Sequence, residues 1–259
     1  MRLLFIRHGD PDYEHDTLTE KGKVEAALLA KRIKDFNIDD VYVSPLGRAQ
    51  ATARYSLDVL QKEAKTMDWL KEFPAEFDPN VYPDARKAFP EYPINKETGK
   101  YNKHGIWDIY PSYYGQHREL FDRDGFRESD IAKAGDTCEV YDYVTGEFDK
   151  LLAEYGYERD GDIYHVTKAN DKVIAFFCHF GISSVLLSHL WNVSPFVPLQ
   201  YLAMLPTSVT EIVTEERQEG IATFRTLRIG DLTHLTMGGE EPSFSARYCE
   251  MFTNTDERH

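Results

Sequence analysis

The chain has 259 residues, 42% of them hydrophobic and 29% charged, and carries a formal net charge of −14. That length admits one large α/β domain or two small ones, and the abundance of Tyr and Phe excludes a disordered chain. The charge repels nucleic-acid backbones and anionic membranes over most of the surface, so neither is an expected partner, and an anionic ligand needs a local cluster of cations.

Arg2-Leu3-Leu4-Phe5-Ile6 opens the chain as a continuous apolar run, the pattern of a strand covered on both faces. It ends on Arg7-His8-Gly9. A helix follows from Glu20, with Thr19 as N-cap and Ala26, Leu29, Ala30 and Ile33 at helical spacing. The segment 39–45, DDVYVSP, predicts a second strand, and the segment that begins at Gly47 a second helix. Between Phe73 and Gly135 the pattern breaks into an aromatic, proline-bearing stretch without a strong strand signal. A structureless loop of that length is unusual within a compact domain, so residues 73–135 are read as a partly helical, lid-like insertion.

The helical pattern resumes near Thr137, with Val140, Val144, Phe148, Leu151 and Leu152 as one stripe. Val173 to Cys178 repeats the opening arrangement: an apolar strand, then His179, then a glycine. A helix follows through Trp191. Two alternating segments, 207–215 and 222–231, close the sheet, and the last residues, TNTDERH, read as a frayed end. The alternation of strands and helices predicts a single α/β domain over residues 1–259, three-layered, with a mostly parallel central sheet flanked by helices. Cys138, Cys178 and Cys249 are few and lack CxxC spacing, which fits a reducing, cytoplasmic setting rather than a disulfide framework or a zinc site. Residues 1–6 are too short for a signal-peptide core, and no stretch approaches a membrane span.

Ligands of open α/β sheets bind beyond the carboxyl ends of the strands. Arg7 and His8 fall there after the first strand, Arg48 after the second, and His179 after the strand 173–178. Two arginines and two histidines at one rim form a cationic pocket, and a phosphoryl dianion suits planar, bidentate arginines. Singly, each of these residues has a bland reading as a structural histidine or a solvated arginine; their joint placement is what points to chemistry. His15, His104, His117, His165 and His189 lack such a context.

Together, IRHGD, LTEKG, VYVSPLGRAQATA and FFCHFG resemble the histidine phosphatase superfamily, with its phosphoglycerate-mutase-like fold. The resemblance covers residues 1–72 and 135–237, including TSVTE and GDLTHL, but not the insertion. It implies a phosphomonoester hydrolase in which His8 is the nucleophile. Arg7, Arg48 and His179, with Phe180 beside the last, would bind the phosphoryl group. No metal or other cofactor is expected, because the four cationic donors stand in for one.

The resemblance also implies a carboxylic acid that protonates the leaving oxygen, in a pattern like L-x-E. Leu70-Lys71-Glu72 fits; Glu76 is the rival, with Glu63 and Asp68 behind. Two departures stand out. Asp10-Pro11-Asp12-Tyr13 follows RHG without the family's Asn, and EFPAEF lacks the mutase segment E-R-H-Y-G. The expected activity is therefore a metal-independent phosphatase acting on a small phosphorylated metabolite. A mutase and a non-catalytic phospho-ligand binder are the alternatives. In the insertion, Arg86, Lys87, Lys96, Lys100, Lys103 and Arg118 either meet a second anionic group or form a solvated face. Trp107, Tyr110, Tyr113 and Tyr114 either stack on a substrate ring or build the insertion's own core. The sequence does not choose, and its aromatics are compatible with a homodimer.

Overall fold

The computed structural model describes residues 1–82, 84–89, 94–244 and 247–258. It divides into two compact units, residues 1–72, 151–183 and 203–259 in the first and 73–150 with 184–202 in the second.

The first unit holds an eight-stranded sheet. In chain order its strands are β1 (Arg2–Arg7), β2 (Asp40–Val43), β3 (Lys65–Thr66), β4 (Tyr157–Asp160), β5 (Ile163–Val166), β6 (Val173–Cys178), β7 (Val209–Gln218) and β8 (Ile221–Asp231). Across the sheet they run β3-β2-β6-β1-β7-β8-β5-β4. The expected parallel core is present: β1 pairs in parallel with β6 from Arg2↔Val173 to Arg7↔Cys178, β6 with β2, and β2 with β3. Beyond β1 the ladder turns antiparallel through β7, β8, β5 and β4. Thus β1 sits where the two halves meet.

Every residue from Leu3 to Arg7 is buried, which explains the unbroken apolar run. Leu4 and Ile6 join Val41, Val43, Ala175 and Phe177 in a core with Leu29 and Ile33 from the first helical region and Ala49 and Ala53 from the second. Those regions are α1 (Glu20–Arg32), capped by the Thr19 side chain accepting from the Gly22 amide, and α2 (Gly47–Leu60). On the opposite side of the strands, Phe176 stacks with Phe5 at 5.2 Å and with Tyr42 at 5.5 Å.

The hairpin β4–β5 was not foreseen. Its two-residue turn, Gly161-Asp162, lies between Asp160 and Ile163, with Gly161 at φ +56°; Gly-Asp between alternating residues is a hairpin signal. The C-terminal expectation is corrected as well. Asn254–Arg258 is a strand paired with Glu250–Met251, not a frayed end.

In the second unit, residues 73–135 are partly helical as anticipated. Their described residues contain short helices at Pro111–Tyr114 and Asp130–Lys133, three 3-10 turns, and a small strand pair of Glu76–Phe77 with His104–Gly105. The helices α3 (Thr137–Glu154) and α4 (Phe180–Trp191) supply residues to both units. Within the second unit Phe126 packs on Tyr141 and Phe196, and His189 pairs with Asp149 at 2.8 Å. Tyr113 is buried and stacks on His117 at 3.9 Å, and Tyr114 packs on Phe121 and Tyr201. Both serve that unit's own packing. Among the insertion's cations, Arg86 donates to the Tyr101 hydroxyl and Lys87 pairs with Asp84.

Candidate active site at the end of the first strand

The end of β1 is pinned from both flanks. The Arg7 amide donates to the Ser208 carbonyl, the His8 amide to the Cys178 carbonyl, and the Thr207 amide to the His8 carbonyl. Arg7 and His8 are buried at this edge. The Arg7 side chain donates through Nη1 to the Met204 carbonyl at 2.6 Å, and its guanidinium lies 5.7 Å from the Phe180 ring centre. That buried ring in turn packs on Tyr248 at 4.8 Å.

His8 and His179 come together, with ring centres 5.1 Å apart. His8 Nδ1 lies 2.7 Å from the Gly9 carbonyl. A carbonyl only accepts, so Nδ1 carries the proton, and in the neutral ring Nε2 is left with its lone pair. His179 Nε2 is 2.8 Å from the Ser44 hydroxyl, whereas its Nδ1 is buried with no hydrogen-bond partner among the described residues. Burial, reinforced by Arg7, pushes the His8 imidazole down to about 3. Burial and the neighbouring His8 push His179 well below the ordinary histidine range. Of these four residues Arg7 and Arg48 carry the permanent charge, because burial disfavours the charged form of both imidazoles.

Arg48 stands in the first turn of α2. It is largely buried and is held by Asp16, whose Oδ1 accepts from Arg48 Nη1 at 2.8 Å while Oδ2 accepts from the Gly47 amide at 2.6 Å. Arg48 Nε is buried without a partner among the described residues. The exposed Tyr13 ring lies 5.4 Å from the guanidinium. The segment after RHG thus forms a short hairpin, Pro11–Asp12 with Thr17–Leu18, and brings Asp16 rather than an Asn to this corner. Thr52, one turn along α2, accepts from the Gly9 amide and donates to the Arg48 carbonyl, tying the two motifs together.

Glu72 and Glu76 separate. Glu72 is half-buried, and its Oε1 accepts from the Ile182 amide at 3.2 Å, in the first turn of the helix that follows His179. Glu76 is exposed in the small strand pair of the other unit. The structure thus brings Arg7, His8, Arg48, Glu72, His179 and Phe180 into the first unit, and leaves Glu76 out of it.

Sequence reasoning missed several supporting residues. Asp16 carried no periodic or motif signal. Glu25 is fully buried in α1 and accepts from the amides of Asp10 and Ser243, so it fixes the hairpin's entry to the C-terminal segment. His234, within the GDLTHL segment, meets the Thr207 hydroxyl at 2.9 Å. Among the described residues no group of three or more His, Cys, Asp or Glu side chains is arranged to hold a metal ion, and no helix is long and apolar enough to cross a membrane. All three cysteines are free thiols.

Residues 3–106 match the model of the histidine phosphatase superfamily, branch 1; His179 lies outside that range. No protein of curated function matches the sequence. Among solved structures, the chain is similar to a mycobacterial glucosyl-3-phosphoglycerate phosphatase in complex with inorganic phosphate. The two share 16% identity over 90% of this chain and 98% of that one, at a TM-score of 0.57. A phosphoserine phosphatase mutant from Entamoeba histolytica, in complex with phosphoserine, is 18% identical over 90% and 98%, at 0.55. The alpha-ribazole phosphatase of Shigella flexneri is 20% identical over 90% and 97%, at 0.51. At these identities the likeness is one of fold. The segment 3–106 carries the match to the histidine phosphatase superfamily, and the whole chain shares the fold of these phosphoglycerate-mutase-like phosphatases.

Proposed function

We propose that the protein is a metal-independent phosphatase that hydrolyses a small phosphorylated metabolite through a phosphohistidine. The observation that carries this reading is the state of His8: buried, neutral, and protonated on Nδ1 by its bond to the Gly9 carbonyl. Nε2 attacks phosphorus, the bond to the leaving oxygen breaks, and Glu72 supplies that oxygen's proton. Water then cleaves the phosphorus–nitrogen bond, and phosphate leaves.

Arg7 and Arg48 neutralise the phosphoryl oxygens, joined by His179 and by the backbone at Phe180. Two buried nitrogens without partners among the described residues, Arg48 Nε and His179 Nδ1, support a polar ligand at this place, since buried donors are rarely left unbonded. A dianion there raises the affinity of His179 for a proton, restoring the third cation only when substrate is bound. Three free cysteines suit a reducing, cytoplasmic setting.

The test is rapid quench with a radiolabelled phosphate ester. An acid-labile, base-stable phosphoenzyme is expected, absent in His8→Ala. Label on a serine or an aspartate would overturn the assignment. Isomer formation in place of free phosphate would make the protein a mutase, and no turnover of any ester a binding protein.

A further inference from the structure

The hairpin that stands in place of the family's Asn-bearing segment contributes a carboxylate hydrogen-bonded to Arg48, an arginine of the proposed phosphate site. Its presence beside an anion site calls for an explanation, because a negative charge there opposes a dianion unless it does something for the arginine. The bonds show what that is. Asp16 uses one oxygen for the first amide of α2 and the other for Arg48 Nη1, so carboxylate, helix start and guanidinium form one fixed unit. The backbone of this residue is in the left-handed region, at φ +45°, a conformation uncommon for residues other than glycine. Its carbonyl packs so close to α2 that a Cβ on Gly47 would stand 2.1 Å from it. Tyr13, on the same hairpin, lies over the guanidinium face.

Arginine has five N–H donors in a rigid fork. With Nη1 committed to Asp16, the edge that includes Nε keeps its donors for a ligand, and Nε is the nitrogen that has no partner among the described residues. We propose that Asp16 is the positioning residue for Arg48: it holds the guanidinium at the start of α2 with its Nε edge turned to the phosphoryl group. This rests on the phosphatase reading above and assigns the hairpin a part in it. Asp16 does not touch the reacting atoms. Its contribution is to remove the rotamer freedom that Arg48 would otherwise lose on binding each substrate.

A double-mutant cycle on vanadate binding, measured directly by calorimetry and as inhibition of nitrophenyl phosphate hydrolysis, tests this. In otherwise wild-type protein, Asp16→Ala is expected to weaken vanadate binding roughly 10-fold and to raise KM more than it lowers kcat. In the Arg48→Ala background the same change is expected to cost less than about 2-fold, since residues acting through one another are non-additive. Asp16→Asn keeps one acceptor and is expected to fall between. Equal losses in both backgrounds would reduce Asp16 to a helix cap, and unchanged binding in Asp16→Ala would overturn the proposal outright. A wild-type protein that binds no vanadate would instead sink the phosphatase reading itself. Should Asp16→Ala fail to fold, the Asp16→Asn cycle carries the same comparison.

Discussion

A histidine that attacks phosphorus must be neutral before it meets the substrate, and one that neutralises the transferred group gains from being charged afterwards. In the proposed mechanism burial meets the first demand, holding His8 down to about 3 with its tautomer set by the Gly9 carbonyl; the second waits for the bound dianion, because burial alone keeps His179 well below its usual range. The leaving oxygen is a separate problem, which the proposed mechanism assigns to Glu72. Glu72→Gln is expected to slow cleavage of an alkyl phosphate by about 10²–10⁴-fold, the usual worth of general acid catalysis. A nitrophenyl phosphate departs as a stabilised phenolate and should be far less affected. Glu76→Gln should be nearly silent on both esters, as befits an exposed carboxylate in the other unit. The opposite ranking would move the acid to Glu76. At this scale the sequence was readable where residue type and strand end coincide, as at Arg7, His8 and His179. Asp16 was not readable, because its partner Arg48 lies 32 positions away and only the fold joins them.

Among the elements, α1 and α2 meet the loops after β1 through glycines that admit no side chain. A Cβ on Gly22 would lie 2.3 Å from the Asp10 carbonyl, and one on Gly47 2.1 Å from that of Asp16. Gly47→Ala must therefore push the hairpin off α2. It is expected to weaken vanadate binding at least as much as Asp16→Ala, with a fall in thermal midpoint that inhibitor only partly restores; wild-type affinity would show that the hairpin yields without moving Arg48. Thr19→Ala removes the cap of α1 and should cost about 1 kcal/mol with little change in KM, read from denaturant unfolding alongside kinetics. The long amphipathic elements were legible because their burial follows their period, as Leu29, Ile33, Ala49 and Ala53 show. The two-residue strand β3 and the hairpin β4–β5 were not, since so few residues leave no period to count; only the Gly161-Asp162 turn marked the hairpin.

For the molecule as a whole, the buried histidines tie stability to pH. His8, His179 and His234 all have native values below the unfolded one, His234 at about 4 through burial. The unfolded chain therefore binds protons that the native one refuses. Their contribution is complete above the unfolded value of about 6.5 and is lost as pH falls towards 4 and below, by about 1.4 kcal/mol per pH unit for each histidine. The thermal midpoint should thus drop between about pH 6.5 and 4, and His234→Gln should make that drop shallower. An unchanged slope in the variant would mean that His234 does not take part. Chelators should leave turnover unchanged, because Arg7 and Arg48 already supply the fixed charge; activity lost on dialysis and restored by magnesium or zinc would refute this.

The pairing of β1 has a consequence for how the chain comes to be active. Its partners are Val173–Cys178 and Val209–Val213, so the strand that carries Arg7 and leads into His8 waits for residues made long after it. Closing such distant contacts is the slow step of folding. During refolding from denaturant, helical signal should therefore return before activity, and activity should follow the slowest phase. A chain cut before Val209 should be inert while still holding every residue of the proposed catalytic set. On a ribosome, Arg7 and His8 would emerge well before the strands that make them useful.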